Sequence, residues 1–170
     1  MTSTPPSIDG GSRISPCLWF DDDLEEAATF WTSVFPDSSL GHLTRHGEAG
    51  PGVPGTVMAG EFTLMGLTFR GINGGPQFAG FTETISFSVT CADQAEVDRY
   101  WDALTADGGA ESACGWLKDR FGLSWQIVPR RLFELVSDPD PVRANAAVEA
   151  MLRMRRIVVS ELEEAVAGVG

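Results

Sequence analysis

The residues best suited to chemistry are hydrogen-bonding side chains that interrupt an apolar pattern in one predicted strand. Leu123, Trp125 and Ile127 point to one face of this strand, whereas Ser124, Gln126 and Val128 point to the other, because successive strand residues alternate. A hydroxyl and a carboxamide can hydrogen-bond a ligand on an otherwise apolar surface. This division predicts helices packed against the apolar face and a cavity over the polar face.

A second predicted strand, over residues 82–90, has the same division, with Thr84 and Ser86 on the face opposite Phe87. Together with Asn73, these polar side chains admit two hypotheses. They hydrogen-bond one another in a closed polar core, or they converge on a ligand in an apolar cup. The second hypothesis predicts a small-molecule pocket formed by Phe20, Phe69, Asn73, Thr84, Ser86, Trp116, Ser124 and Gln126.

The other chemically active side chains give weaker patterns. His42 and His46 lie four residues apart near Glu48, so in a strand they would share one face. An exposed strand leading into a loop is the simpler interpretation, and metal binding or acid–base chemistry is the alternative. Cys17 and Cys114 have no histidine near them in sequence, and we interpret both as small buried apolar residues.

Composition sets limits on the class of protein. The 170 residues are 43% hydrophobic, which is ordinary for a globular protein, and the net charge is −12. No basic cluster is present to neutralise phosphates, so nucleic acid is not an expected partner. The odd number of cysteines without metal-ligand spacing indicates reduced thiols, and no apolar run is long enough to span a membrane. We therefore expect a cytoplasmic protein.

The elements that position these residues follow from periodicity and turn chemistry. Asp21–Asp23 are expected to cap a helix whose apolar residues recur at helical spacing until Pro36. Asp93 and Glu96 resemble a capping box for a second helix. Residues 119–122 have turn chemistry, because Gly at the fourth position can adopt a positive φ. The predicted strands are 14–20, 39–46, 56–64, 67–73, 82–90 and 123–128.

An internal repeat appears at an offset of 70 residues. Asp23 matches Asp93, Ala27 matches Val97, Phe30-Trp31 matches Tyr100-Trp101, and Val34 matches Leu104. Because each match lies in a helix between strands, the chain is predicted to be α+β, with two tandem βαβββ modules. The predicted organisation is a flexible tail over 1–12, modules over 13–77 and 80–132 that form one structural domain, and a C-terminal helical extension over 138–168.

The extension has its own helix signals. Asp138 to Pro141 read D-P-D-P, which is typical of a helix start, and residues 142–154 are good helix formers. Ser160 and Glu163 form a further capping-box candidate. We expect these helices to pack outside the sheets or at a subunit contact.

Three stretches carry a family resemblance: CLWFDDDLEEAATFW over 17–31, NGGP over 73–76 and CGWLKDRFGLSWQ over 114–126. Over roughly 13–168 the chain resembles the PhnB-like family, also called 3-demethylubiquinone-9 3-methyltransferase-like. That family lies within the glyoxalase/bleomycin-resistance/extradiol-dioxygenase (vicinal oxygen chelate) superfamily. The resemblance implies paired βαβββ modules with cupped mixed sheets, outer helices, a homodimer and pockets in the cups.

The methyl transfer named in the family label lacks its expected motif. Binding of a methyl donor usually uses a glycine-rich loop that opens a helix, whereas Gly74-Gly75-Pro76 leads to another strand. The superfamily's metal-ligand pattern falls near Pro16, Asn73, Thr84 and Gln126, none of which is a strong ligand. No metal or other cofactor is therefore predicted.

These observations favour a small-molecule-binding protein that works without a metal. The ligand is unidentified, and the acidic charge would suit a cationic molecule. The alternative is an enzyme of the same superfamily, such as a lyase or dioxygenase, acting on a small oxygenated or aromatic substrate. In that case Gln126 or His42 and His46 would contribute to the chemistry. The sequence leaves open whether the protein is an enzyme.

Overall fold

The computed structural model describes residues 14–49, 52–78 and 80–169. The chain divides into two compact units, residues 1–78 and residues 79–170. The expectation of a flexible tail over residues 1–12 lies outside the described residues.

The first unit is one βαβββ module. Its elements in chain order are β1 (Cys17–Phe20), α1 (Leu24–Val34), β2 (Ser39–Arg45), β3 (Val57–Leu64) and β4 (Leu67–Asn73). They form a mixed sheet in the order β1-β4-β3-β2, in which β1 is parallel to β4 and the other pairs are antiparallel.

Helix α1 covers one face of this sheet because its apolar residues recur every three or four positions. Leu24, Ala27, Ala28 and Trp31 are fully buried. The Trp31 ring lies 5.6 Å from that of Phe62. We call the opposite side, which carries Cys17, Glu61 and Arg70, the open face of the first sheet.

The N-terminus of α1 is capped by a residue distant in sequence. Asp23 occupies the N-cap position, but its side chain makes no capping hydrogen bond. Instead, the Oδ1 atom of Asn73 accepts a hydrogen bond from the Leu24 N–H at 3.1 Å. The helix begins where it was expected, but the predicted side-chain cap from Asp21–Asp23 is wrong, because Asn73 supplies the acceptor.

The second unit repeats the module. It contains β5 (Phe87–Cys91), α2 (Gln94–Thr105), a 3-10 turn (Ala106–Gly108), β6 (Ala110–Glu111), β7 (Trp116–Lys118) and β8 (Ser124–Pro129). The sheet order β5-β8-β7-β6 matches that of the first unit. The described residues thus form an α+β fold with two four-stranded mixed sheets, as predicted.

The capping box of α2 is confirmed. Asp93 accepts a hydrogen bond from the Glu96 N–H at 2.9 Å, and the Glu96 carboxylate accepts from the Ala92 N–H at 2.8 Å. The strand predicted over residues 82–90 begins only at Phe87, because the preceding residues bend into a turn. Thr84 lies in that turn, with its hydroxyl 2.6 Å from that of Thr82.

Three C-terminal helices follow: α3 (Arg130–Val136), α4 (Pro141–Leu152) and α5 (Val159–Ala167). Helix α3 was not predicted, because Pro129 was interpreted only as the end of a strand. Asp140 caps α4 by accepting from the Val142 N–H at 2.9 Å. The buried apolar cluster of this region consists of Val128, Leu132, Leu135, Ala147, Ala150, Met154, Ile157, Leu162 and Val166.

The predicted Ser160–Glu163 capping box is wrong, because α5 begins earlier, at Val159. Its first N–H donates to the Oε1 atom of Gln94 at 2.8 Å, across 65 residues. The Gln94 Nε2 atom also donates to the Ile157 carbonyl at 3.1 Å. One side chain of α2 therefore fixes the start of the last helix.

Candidate functional site

The hairpin that leads into β8 is organised by a buried carboxylate. Asp119 is only 2% exposed. Its Oδ1 atom accepts from the N–H groups of Phe121 and Leu123 at 2.9 and 3.0 Å, and its Oδ2 atom accepts from Trp125 Nε1 at 2.8 Å. Gly122 adopts φ +83° and donates to the Asp119 carbonyl at 2.9 Å. The predicted turn is confirmed, and it fixes the position of β8.

The alternation predicted for β8 is also confirmed. Gln126 pairs with Ser88 on one side and Trp116 on the other, while Ser124 pairs with Lys118. These five residues share the side of the sheet that we call the open face of the second sheet. At the end of β8, Val128 lies on the same side but is buried in the C-terminal apolar cluster. The opposite side carries Val89, Leu117, Trp125 and Ile127, all of which are buried.

Four of the predicted pocket residues lie on or beside this open face: Ser86, Trp116, Ser124 and Gln126. The Gln126 Nε2 atom donates to Ser86 Oγ at 2.9 Å. The Ser124 hydroxyl is buried and has no hydrogen-bond partner among the described residues. Thr84 stands apart, because its turn precedes β5 and its side chain is exposed.

The two phenylalanines of the first unit that were predicted to line the pocket are core residues instead. Phe20 and Phe69 are 3% and 2% exposed and lie on the side of the sheet that α1 covers. The Phe69 ring stacks on Phe62 at 5.1 Å, and the Phe20 ring lies 6.0 Å from that of Trp31. Strand alternation places both phenylalanines in the core, away from the open face.

Asn73 has a structural role. Besides accepting from Leu24, it donates through Nδ2 to the carbonyls of Asp22 and Val57 at 3.1 and 3.0 Å. A Cβ atom on Gly74 would lie 1.9 Å from Cζ2 of Trp19, and Trp19 Nε1 donates to the Gly75 carbonyl at 2.9 Å. The NGGP stretch therefore holds β1, β4 and the start of α1 together.

This role gives a stability prediction for Asn73. We expect Asn73→Ala to lower the free energy of unfolding by about 2 kcal/mol, because it removes a helix cap and two further hydrogen bonds. Chemical denaturation measures the change. Asn73→Asp keeps the acceptor for Leu24 but loses both donors, so its loss should be intermediate. Wild-type stability of Asn73→Ala would contradict this role.

A groove lies on the open face of the first sheet, and none of its lining residues was predicted as a pocket residue. It has a volume of about 450 Å³. Across its floor, Arg70 Nε donates to Glu61 Oε1 at 3.0 Å. The alternation of β3 and β4 would have indicated these two residues. The groove is lined by Cys17, His42, Thr44, Ala59, Gly60, Glu61, Arg70, Gly71 and Ile72.

The two histidines have different positions relative to the groove. His42 lines the groove, whereas His46 follows the end of β2 and is not among the lining residues. Register shifts between Leu40 and Leu43, and between Thr44 and Arg45, interrupt the simple alternation of this strand. A shared metal or acid–base role for both histidines is therefore not supported by their positions.

The cysteines differ in exposure, and all three are free. Cys17 is exposed and lines the groove, which corrects the expectation that it is buried. Cys114 is half-buried. Burial raises the pKa of the Cys91 thiol to about 12, so this group stays neutral at physiological pH.

The described side chains do not fit a metal centre. No group of three or more His, Cys, Asp or Glu residues is placed to hold a metal ion in the described part of the chain. At the positions suggested by the superfamily pattern, Asn73 binds backbone groups and Gln126 binds Ser86, while Thr84 is exposed and Pro16 has no ligating side chain. Within the same residues, no helix is long and apolar enough to cross a membrane.

The two βαβββ units, each with its helix on one side of a mixed sheet, define an α+β protein with two similar four-stranded sheets. A family model described as 3-demethylubiquinone-9 3-methyltransferase matches residues 12–128. The chain therefore belongs to this family of PhnB-like proteins. No curated protein matches the chain.

Solved structures agree with the family assignment. A PhnB protein from Bacillus cereus is 34% identical, with a TM-score of 0.64, and the match covers 69% of this chain and 99% of that one. A Pseudomonas aeruginosa protein has the same fold at 20% identity and a TM-score of 0.58, over 70% and 98% of the two chains. Because the family match ends at residue 128, helices α3 to α5 lie outside the matched range.

Proposed function

We propose that this protein binds a small organic molecule on the open faces of its sheets and does so without a metal. The observation that carries the proposal is the groove of about 450 Å³ on the first sheet, a volume typical of ligand sites. Ala59 and Ile72 supply apolar wall, while His42, Glu61 and Arg70 supply groups that can orient a ligand. On the second sheet, the proposed contacts are Ser86, Trp116, Ser124 and Gln126.

The test begins with thermal-shift screening of a panel of small metabolites against the purified protein. Ala59→Trp should fill the groove and abolish any stabilisation that arises there. Thr29→Trp, which adds the same ring to an exposed residue of α1 on the opposite side of the sheet, should leave it intact. Equal stabilisation of both variants would overturn the assignment of the groove.

Gln126→Leu tests the contribution of the second open face. The side chain is half-buried and donates to Ser86, so we expect the free energy of unfolding to change by less than about 1 kcal/mol. Binding of a ligand on this face should weaken about tenfold, since one hydrogen bond to a ligand is lost. Unfolding of the variant would favour the closed polar core instead.

A catalytic function is the second candidate, because the His42 imidazole lines the same groove as the Glu61–Arg70 pair. Histidine is the usual general acid or base near neutral pH. Elemental analysis of chelator-free protein is the first measurement. Near-stoichiometric metal would direct the next assays to lyase and dioxygenase chemistry. A histidine-like pKa in a pH–rate profile, lost in His42→Gln, would establish acid–base chemistry.

We further propose that the protein is a cytoplasmic homodimer, as the family resemblance implies. Sedimentation equilibrium of the full chain tests the assembly, and a monomer at micromolar concentration would contradict it.

A further inference from the structure

We propose that the second open face contains a subsite for the carboxylate of a small aromatic acid. Lys118 and Ser124 bind the carboxylate and Trp116 contacts the ring. When no ligand is present, Glu83 forms an ion pair with Lys118. This inference rests on the proposed function, because it names the class of ligand for that face.

The first observation is the ion pair between Lys118 and Glu83. The Lys118 Nζ atom lies 2.5 Å from Glu83 Oε1. Lys118 is on β7 and Glu83 precedes β5, while β8 lies between these two elements in the sheet. Lys118 pairs in register with Ser124, so the ion pair spans β8, the strand that carries Ser124.

The second observation is the Ser124 hydroxyl itself. Ser124 is 1% exposed, and its Oγ atom has no hydrogen-bond partner in the described part of the chain. A buried hydroxyl without a partner costs free energy, and such groups in native proteins call for an explanation. A ligand oxygen bound between Ser124 and Lys118 would supply the missing partner.

The groups at this position are mainly donors. The Lys118 ammonium offers three N–H groups, and Ser124 offers one O–H. Ser86 accepts from Gln126, so its own hydroxyl proton can be directed to a ligand. This donor set suits an oxyanion, because charge-assisted hydrogen bonds to carboxylates are short and strong. The ion pair with Glu83 shows that Lys118 can bind a carboxylate.

Trp116 explains the preference for an aromatic acid. It lies two residues before Lys118 on the same face, at a strand spacing of about 7 Å. Trp116 is half-buried and pairs in register with Gln126, so it lies beside the polar side chains of β8. One small planar acid can therefore contact both Trp116 and Lys118.

Glu83 is suited to exchange with a ligand. Its side chain is 64% exposed and lies in a turn, so it can move into solvent at little cost. The hydrogen bond from Lys118 lowers the pKa of Glu83, so the competing carboxylate is stabilised in its charged form. Removal of its charge should therefore favour an added anion.

The overall charge of −12 argues for a cationic ligand, whereas these local donors favour an anion. At physiological ionic strength the screening length is about 8 Å, so groups in direct contact dominate over distant charges. Benzoate and benzylamine have similar rings and opposite charges, and they separate the two alternatives.

Lys118 is the only lysine of the chain, which gives a direct measurement. In full-length protein labelled with 13C-lysine, one ε-methylene signal reports on this site. We expect saturable shifts with benzoate and none with benzylamine. Glu83→Gln should tighten benzoate binding about tenfold, and Ser124→Ala should weaken it by a similar factor, since each change alters one charge-assisted contact. Glu134→Gln removes an equal charge from a distant exposed ion pair and should have no effect.

Three results would overturn the proposal: no benzoate-dependent shift, an equal response to inorganic phosphate, or unchanged benzoate affinity in both Glu83→Gln and Ser124→Ala. The proposed function fails separately. If a compound of the metabolite panel stabilises the protein while benzoate does not shift the lysine signal, the proposal of ligand binding is retained and only the proposed class of ligand is wrong. If no compound in the panel stabilises the protein but benzoate shifts the Lys118 signal, the assignment of the groove as a ligand site is wrong and this subsite remains.

Discussion

Replacing Asp119 by Ala is expected to lower the free energy of unfolding by about 3–5 kcal/mol, the largest stability effect that we predict for a side-chain truncation. The carboxylate is the acceptor for Phe121, Leu123 and Trp125. Removing it leaves donors without their acceptor in a region where Leu123 and Trp125 are each 2% exposed. The cost per donor is that of a buried group that has lost both water and its partner.

Urea denaturation followed by tryptophan fluorescence measures this effect. Asp119→Asn keeps the shape and one acceptor oxygen but directs an amide towards the donors, so its loss should be smaller. Asp93→Ala is the matched control, because it removes an exposed carboxylate that accepts one backbone hydrogen bond. That control should cost about 1 kcal/mol, as for a helix N-cap. Similar losses for Asp93→Ala and Asp119→Ala would contradict the central role of Asp119.

The second large effect concerns Gly115, for which we expect Gly115→Ala to cost about 3 kcal/mol. Gly115 has φ +81°, and a Cβ atom there would lie 2.9 Å from the Ile127 carbonyl oxygen and 3.2 Å from Cγ1 of Ile157. Its N–H donates to the Arg155 carbonyl at 2.7 Å, and its carbonyl accepts from Ile127 at 2.8 Å. A shift of this backbone would therefore disturb both β8 and the segment before α5.

Gly122→Ala separates the two causes. Gly122 also has a positive φ, +83°, but a Cβ atom added there would meet no atom of the described residues within 4 Å. This control should cost only about 1 kcal/mol, the penalty for the left-handed conformation. The difference between the two variants then measures the steric contact at Gly115. Equal losses would show that the contact with Ile127 and Ile157 relaxes freely.

Both large effects fall in the stretch over residues 114–126 that carries much of the family resemblance. Gly115, Asp119 and Gly122 define its backbone, whereas Trp116, Lys118, Ser124 and Gln126 face the open side. The first group can be recognised by its effect on folding. Substitutions in the second group should alter binding with little loss of stability. Ser124→Ala should not lower stability at all, because it removes a hydroxyl that has no hydrogen-bond partner among the described residues.

The sequence by itself determined the features that depend on neighbours along the chain. Alternation in β8, the turn over residues 119–122 and the capping box of Asp93 and Glu96 all arise within a few residues, so local periodicity predicts them. The repeat of the same strand and helix order then predicts two similar modules. The family resemblance agrees with this pattern as far as residue 128.

The tertiary structure alone decided which face of the first sheet α1 covers and which distant side chains complete each element. Phe20 and Phe69 lie under α1, because alternation defines two faces without saying which one is covered. Asn73 caps α1 across 49 residues, and Gln94 caps α5 across 65. The groove and the Lys118–Glu83 pair likewise join separate strands and turns. Such contacts depend on strand register and chain packing, which local periodicity does not specify.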